Sequence, residues 1–318
     1  MSDIALRELL ERFAEAKILV LGELWLEHTV RGEASRADGH VFVRAAERVN
    51  GVGGAAGIGW AAAAMGAKTC LAGVVGQDAR AGELLRALGD TVDPFGIVSA
   101  PGCQTGERLV LSIDDSTALG CTRVEVELAA APPLTGPPAQ AMLDHVGALI
   151  GKLGSIVITT YGAPLEPQFS EALARLAQSH SVPVIGGLMS PCALAGAATD
   201  RPPLPQCRLL VAAQGAAADD SSAEARDLLD KGGHTAVLVG GADGHAQLYR
   251  AAGPDVESFA DAALTDCSAW QAVVAGAALA VASGADIVTA ARIGIGAAIV
   301  TRSGGPPTAA ALERELTG

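Results

Sequence analysis

Residues 51–78 read Gly51-Val-Gly-Gly-Ala-Ala-Gly-Ile-Gly59, an alanine-rich run to Gly66, an apolar run from Ala67 to Val75, and then Gly76-Gln77-Asp78. A glycine-rich turn that opens into a helix, followed by a buried strand and a second turn, is a unit from which parallel sheets are built. A helix over 80–89 follows. Upstream, residues 4–16 form an amphipathic helix with Ile4, Leu6, Leu9, Leu10 and Phe13 on one face, and Ile18 to Leu21 is a short buried strand ending at Gly22. Residues 28–50 are polar and alternate weakly, with a short strand suggested by Val41 and Val43.

Downstream, Leu109, Leu111 and Ile113 alternate with polar residues, as do Val124, Val126 and Leu128, which suits half-buried strands. Asp114-Asp115-Ser116 marks a turn between them. After a proline-rich break at 131–138 the pattern becomes helix, strand, helix, strand. The strands are Ser155–Thr159, Val182–Ile185, Arg208–Val211 and Ala236–Val239, and the helices cover 138–152, 168–179, 222–231 and 269–283. This alternation implies a largely parallel sheet covered on both faces. Segments 193–206 and 303–309 read as loops, and a helix after Pro307 closes the pattern.

The 318 residues are half hydrophobic but only 3% aromatic, so a large core has to be built mainly from Ala, Val and Leu. A net charge of −13 argues against nucleic-acid or anionic-membrane partners, which need basic patches. Residues 2–17 have no long apolar run, and the expected location is cytoplasmic. Cys70, Cys103, Cys121, Cys192, Cys207 and Cys267 show no CxxC pair or metal spacing and read as free thiols, with a Cys103–Cys121 pairing disfavoured in a reducing compartment. The six histidines, including His28 and His234, show no ligand spacing and are expected at the surface.

The order strand, polar excursion, Gly-Gly, helix, strand, Gly-Gln-Asp resembles the ribokinase-like (PfkB) carbohydrate kinases. Within them it looks most like the heptose-7-phosphate kinase domain of bifunctional ADP-heptose synthase. Gly22-Glu-Leu-Trp-Leu-Glu27 resembles the family's Gly-Asp-x-x-x-Asp, Gly53-Gly54-Ala55-Ala56 its Gly-Gly-Ala-Ala-Asn, and Val75-Gly76-Gln77-Asp78 its second turn. Arg108 and Arg123 fall on basic lid positions, and Tyr161 in a Ser-Asp-Tyr segment. The resemblance implies a three-layer α/β sandwich with a mostly parallel central sheet plus a small β-sheet lid. The core would comprise 1–28, 51–102 and 129–318, and the lid 29–50 and 103–128. The nucleotidyltransferase half of the bifunctional enzyme has no counterpart here.

The resemblance also places Thr265-Asp-Cys-Ser-Ala-Trp-Gln271 where the family carries Thr-Gly-Ala-Gly-Asp before an apolar helix. The catalytic Asp falls on Gln271, and the anion-hole glycines on Ser268 and Trp270, with Ala269 between them. A carboxamide is not basic enough to deprotonate a hydroxyl. The sugar-binding Asn falls on Gly57, two further acids on Thr160 and Gly186, and the magnesium-assisting Asn and Glu on Ala213 and Ala216. The turn glycines are kept while the ligand-touching side chains are mostly lost. A missing anion-hole donor costs about 100-fold or more in rate, and a missing base roughly 100- to 10,000-fold.

Each remaining site residue has a plain structural alternative. Trp270 either plugs a nucleotide site or packs as an ordinary helix residue. Glu23 and Glu27 either retain a hydroxyl-binding role or are loop acids. Arg108 and Arg123 either hold a sugar phosphate or are strand charges paired with Glu107, Glu125 or Glu127. Gly53 and Gly54 are candidate substrate contacts, and Gly240 with Gly241 a weak nucleotide-approach site. The leading expectation is a catalytically degenerate kinase homologue, with no cofactor, acting as a binding, regulatory or scaffold subunit. It would pair through the lid with itself or with an active paralogue, and could hold a sugar or sugar phosphate. The alternative is an active carbohydrate kinase using ATP and magnesium. A third possibility is a cleft recruited to other chemistry through Cys267, Ser268, Glu23 and Glu27.

Overall fold

A computed structural model describes residues 2–38, 40–113, 123–161, 165–189, 204–213, 221–240, 244–253, 256–259 and 267–317. In chain order the elements are α1 (Asp3–Glu11), β1 (Lys17–Leu21), β2 (Leu24–Ala37), β3 (His40–Gly54), α2 (Ala55–Ala64), β4 (Lys68–Gly76), α3 (Ala79–Leu88), β5 (Val92–Ala100), β6 (Gly106–Ile113) and β7 (Arg123–Ala129). They continue with α4 (Gly136–Leu149), β8 (Ser155–Thr160), α5 (Pro167–Ser179), β9 (Val184–Leu188), β10 (Leu209–Ala213), α6 (Ser221–Gly232), β11 (Ala236–Gly240), β12 (Ala246–Arg250), β13 (Glu257–Phe259), α7 (Cys267–Ala282), α8 (Ile287–Arg302) and α9 (Ala309–Thr317).

The central sheet has nine strands in the order β13-β12-β11-β10-β9-β8-β1-β4-β5. Strands β11 to β5 in that order run parallel, and β12 and β13 close one edge antiparallel. Along β1, Ile18 and Val20 enter one core while Leu19 and Leu21 enter the other, so the strand is buried on both faces. The first core packs α1, α2, α7, α8 and α9 against the sheet, and the second packs α4, α5 and α6. This is the three-layer α/β sandwich, and the second, four-stranded sheet, β3-β2-β6-β7, is the lid.

Several elements depart from the sequence expectation. The weak strand at Val41 and Val43 is one arm of a hairpin that runs from Leu24 to Gly54, beyond the expected lid bounds at both ends. From Arg31 outward most of its residues are exposed, so neither face supplies an apolar alternation to read. The sequence reading assigned no element to β5, β12, β13 or α8. Helix α8 contains Gly294 and Gly296, which look like loop residues. They are packing notches: a Cβ at Gly294 would stand 2.6 Å from the Val273 carbonyl, and one at Gly276 would stand 3.1 Å from Gly294 Cα. Asp286 caps α8 by accepting from the Thr289 amide at 2.8 Å.

Among the described cysteines Cys70, Cys207 and Cys267 are buried free thiols and Cys103 is partly buried. Cys121, Cys192, the turn at Asp114 and most of the loop at 193–206 lie outside the described residues. His234 departs from the surface expectation: it is buried, and its Nδ1 accepts from the Cys207 amide at 3.0 Å. No helix among the described residues is long and apolar enough to cross a membrane.

Candidate functional site

The carboxyl ends of β1 and β8, the start of β2, the first turn of α7 and the lid strands meet in one cleft. Strand β1 hands over to β2 through Gly22 and Glu23. Glu23 is buried, and its Oε2 accepts from the Tyr161 amide at 2.7 Å. Its backbone carbonyl accepts from Ala55 at 2.9 Å, at the start of α2. Gly54 precedes that helix with φ of 68°, a left-handed conformation that glycine adopts without a steric penalty.

Trp25 is 1% exposed and lies over the Gly53-Gly54 turn: a Cβ at Gly53 would overlap its indole, and one at Gly54 would come within 2.5 Å of its Cζ3. The Tyr161 ring stands edge-on to Trp25 with 4.5 Å between centroids, and Trp270 stands edge-on to Tyr161 at 5.4 Å. Trp270 is fully buried in the first turn of α7. A Cβ at Gly187, in β9, would come within 2.8 Å of its Cη2. Gly186 faces the other core, toward Cys207 and Leu210.

Gln271 follows the same logic. It is 7% exposed, and its Nε2 donates to the Tyr161 hydroxyl at 3.3 Å and to Cys267 Sγ at 3.4 Å. A Cβ at Gly57 would overlap its carboxamide. Burial pushes the Tyr161 phenol well above its ordinary range, and the neighbouring Cys267 adds to that, so the hydroxyl stays neutral and can accept from Gln271.

On the lid side, Glu27 of β2 and Arg108 of β6 are register neighbours, and Arg108 in turn faces Glu127 of β7. Arg108 is 8% exposed; its guanidinium carbon lies 3.9 Å from the Trp25 ring centre and 5.7 Å from that of Tyr161. Its nitrogens are 3.9 Å from Glu125 and 3.6 Å from Glu127. Glu107 points the other way, 2.5 Å from Arg80 of α3 and 3.1 Å from His28. Arg123 pairs with Glu125 at 2.8 Å. Burial raises the Glu27 carboxyl despite the nearby Arg123 charge and the hydrogen bond from Thr29.

The second turn anchors the lid. Asp78 caps α3 by accepting from Ala81 at 3.0 Å, and also accepts from the Thr105 amide at 2.8 Å and hydroxyl at 2.7 Å, one residue before β6. Burial works against its ionisation, but the bonds from Thr105 and Ala81 outweigh it and hold the carboxyl below its usual range.

The structure therefore brings Glu23, Glu27, Gly53, Gly54, Arg108, Trp270 and Gln271 together, while Ala269 is buried in the core side of α7. Ser268 is exposed on the first turn of α7, and Gly240 is buried in β11 between Ala213 and Ala246. Gly241, Ala216, Thr265 and Asp266 lie outside the described residues. Sequence reasoning missed Trp25, Gly187 and Thr105. Trp25 sits inside the quoted Gly22–Glu27 segment, and a tryptophan between two candidate ligand acids was the available signal. Grooves of about 600 Å³, at the amino ends of β9 and β10, and about 520 Å³, beside the start of α4, lie away from this cleft.

The architecture is the ribokinase-like fold. The chain superposes on an Arabidopsis thaliana ribokinase solved with ribose and ATP over 95% of its own length and 99% of that chain, with a TM-score of 0.66 and 16% identity. A carbohydrate kinase from Agrobacterium tumefaciens matches over 95% and 97%, with a TM-score of 0.64 and 18% identity. In sequence the chain is similar to the bifunctional protein HldE. It is 29% identical to that of Paramagnetospirillum magneticum over 301 residues, which cover 91% of this chain and 60% of the relative. It is 26% identical to that of Rhodospirillum rubrum over 195 residues, which cover 57% of this chain and 36% of the relative. The matched stretch thus falls short of two thirds of these relatives' length. No protein-family model matches the chain.

Proposed function

We propose that this protein uses a sugar-kinase fold without phosphoryl transfer and acts as a binding, regulatory or scaffold subunit. One observation carries the reading: the cleft's glycine notches are filled from within. Trp25 lies over Gly53 and Gly54, Gln271 over Gly57, and Trp270 over Gly187. Each large side chain stands beside a residue with no side chain, so the filling is complementary. A cleft that had only lost its base would retain open space.

The described residues speak against a magnesium–nucleotide. Among the described residues, the positions that the resemblance gives to acids and amides hold Gly57, Thr160, Gly186, Ala213 and Gln271, none with a carboxylate. On the resemblance, Trp270 takes the position of an anion-hole glycine, where a transferred group would need space and donors. Glu23 is engaged with the Tyr161 amide. Phosphorylation of a panel of sugars and sugar phosphates, including heptose 7-phosphate, from ATP and magnesium tests the proposal. Turnover at an ordinary enzymatic rate, about 1 s⁻¹ or more, would sink it.

The proposed partner surface is the lid face turned away from the cleft. There Leu109 and Val126 are register neighbours, as are Val30, Leu111 and Val124. Val126 and Leu128 are exposed. An apolar row on a thin sheet favours a second subunit, this chain or a paralogue. Light scattering at micromolar concentration checks it, a dimer being expected of the purified protein or of its mixture with the paralogue.

A further inference from the structure

We propose that the lid is locked at a fixed angle without any ligand, by a clamp on four consecutive residues of the chain as it leaves the core. The proposal does not depend on the absence of phosphoryl transfer. Thr105 is tied by its amide and hydroxyl to Asp78 at the head of α3. Gly106 follows, pressed against the start of β2: a Cβ there would stand 2.7 Å from the Leu24 carbonyl. Glu107 and Arg108 then point to opposite faces of the lid, and each grips the core. Glu107 takes Arg80 of α3 at 2.5 Å on the outer side, together with His28 from the neighbouring strand. Arg108 reaches the cleft side, over Trp25 at the core-packed start of β2 and toward Tyr161, which follows β8.

A lid gripped on one face can swing toward the other. Gripped on both faces at adjacent residues, β6 has no free direction of swing, and β2 and β7 are tied to it by their ladders. The Arg108 grip is well shielded from water, since its side chain is 10% exposed, so its attraction to the rings is little screened. The outward apolar row is thereby presented in one orientation.

Hydrogen exchange of the full-length protein, resolved by segment, tests this. Wild type is expected to protect 106–113 and 123–129 without any added small molecule. The double variant Glu107→Ala/Arg108→Ala is expected to exchange in those segments about 30-fold faster, the equilibrium shift for loss of one buried cation–π contact. Strands β1, β4 and β8 should be unchanged, and Arg108→Lys should recover part of the protection. Three results overturn the proposal: lid strands already unprotected in wild type, no acceleration in the double variant, or equal acceleration in lid and core.

Discussion

Substituting Gly187→Ala tests the filled cleft most sharply. Gly187 pairs with Thr159 and Val211 in the sheet and is not among the residues with positive φ, so alanine is compatible with its backbone. In the free chain the change restricts the unfolded state, which would stabilise by about 0.4–1 kcal/mol. The folded state opposes it. The new methyl would come within 2.8 Å of Trp270 Cη2 and 3.1 Å of Cζ2. The indole is rigid and fully buried, so it cannot yield as a flexible side-chain end would. Overpacking of this kind costs about 1–3 kcal/mol. Trp270→Leu alone leaves a cavity and costs roughly 3 kcal/mol. In the Trp270→Leu background the alanine methyl enters vacated space, and most of its penalty should go, the 3.2 Å approach to Thr159 Oγ1 remaining. A double-mutant cycle by urea denaturation should therefore give a coupling of about 1–3 kcal/mol. Additivity within about 0.5 kcal/mol would refute the claim that these two positions fill one notch.

Three further outcomes follow from the same contacts. Glu23→Ala leaves the buried Tyr161 amide without its acceptor and should cost about 2–3 kcal/mol, whereas Glu23→Gln, which keeps an oxygen there, should cost less by the same denaturation assay. Asp78→Ala removes the α3 cap and both Thr105 bonds, and should cost about 2–3 kcal/mol. Because the folded-state carboxyl is depressed, this contribution is present above pH 3.8 and should fade in acid titration as pH falls through the folded value. His234 runs the other way in charge: burial lowers its folded pKa, so the unfolded chain takes up its proton first as pH drops below 6.5. Stability should fall with acidification from pH 7.5 to 5.5, and His234→Gln should fall less; equal slopes would exclude His234 as the cause.

The legible part of the sequence was the part governed by local period. Ile18 to Leu21, Ser155 to Thr159 and Ala236 to Val239 are short apolar runs that each follow a helix, and each lies inside the nine-stranded sheet. The hairpin from Leu24 to Gly54 was read only in part, because a ribbon wet on both sides carries no alternation. Helix α8 was not assigned because Gly294 and Gly296 disfavour a helix interior, and the close packing they serve is visible only in the fold. Within the site, the replacement of Asp by Gln at 271 and of Asn by Gly at 57 was visible as two separate losses. That the carboxamide of Gln271 fills the space above Gly57 is a relation across 214 positions of the chain (271 − 57) and only the fold reveals it. Arg108 was read as either a ligand group or a surface charge. The structure buries it between an indole and two carboxylates, a placement that depends on strands brought together from three parts of the chain.

The central claim is that the cleft no longer receives a nucleotide. Calorimetric titration of the folded protein with ATP and magnesium, repeated with heptose 7-phosphate present, measures it directly. The account predicts no magnesium-dependent binding at millimolar ATP in either titration. Saturable, magnesium-dependent heat that disappears in the Trp270→Leu variant, or persists in it, would contradict the account, since either requires nucleotide to enter a cleft that Trp25, Trp270 and Gln271 fill.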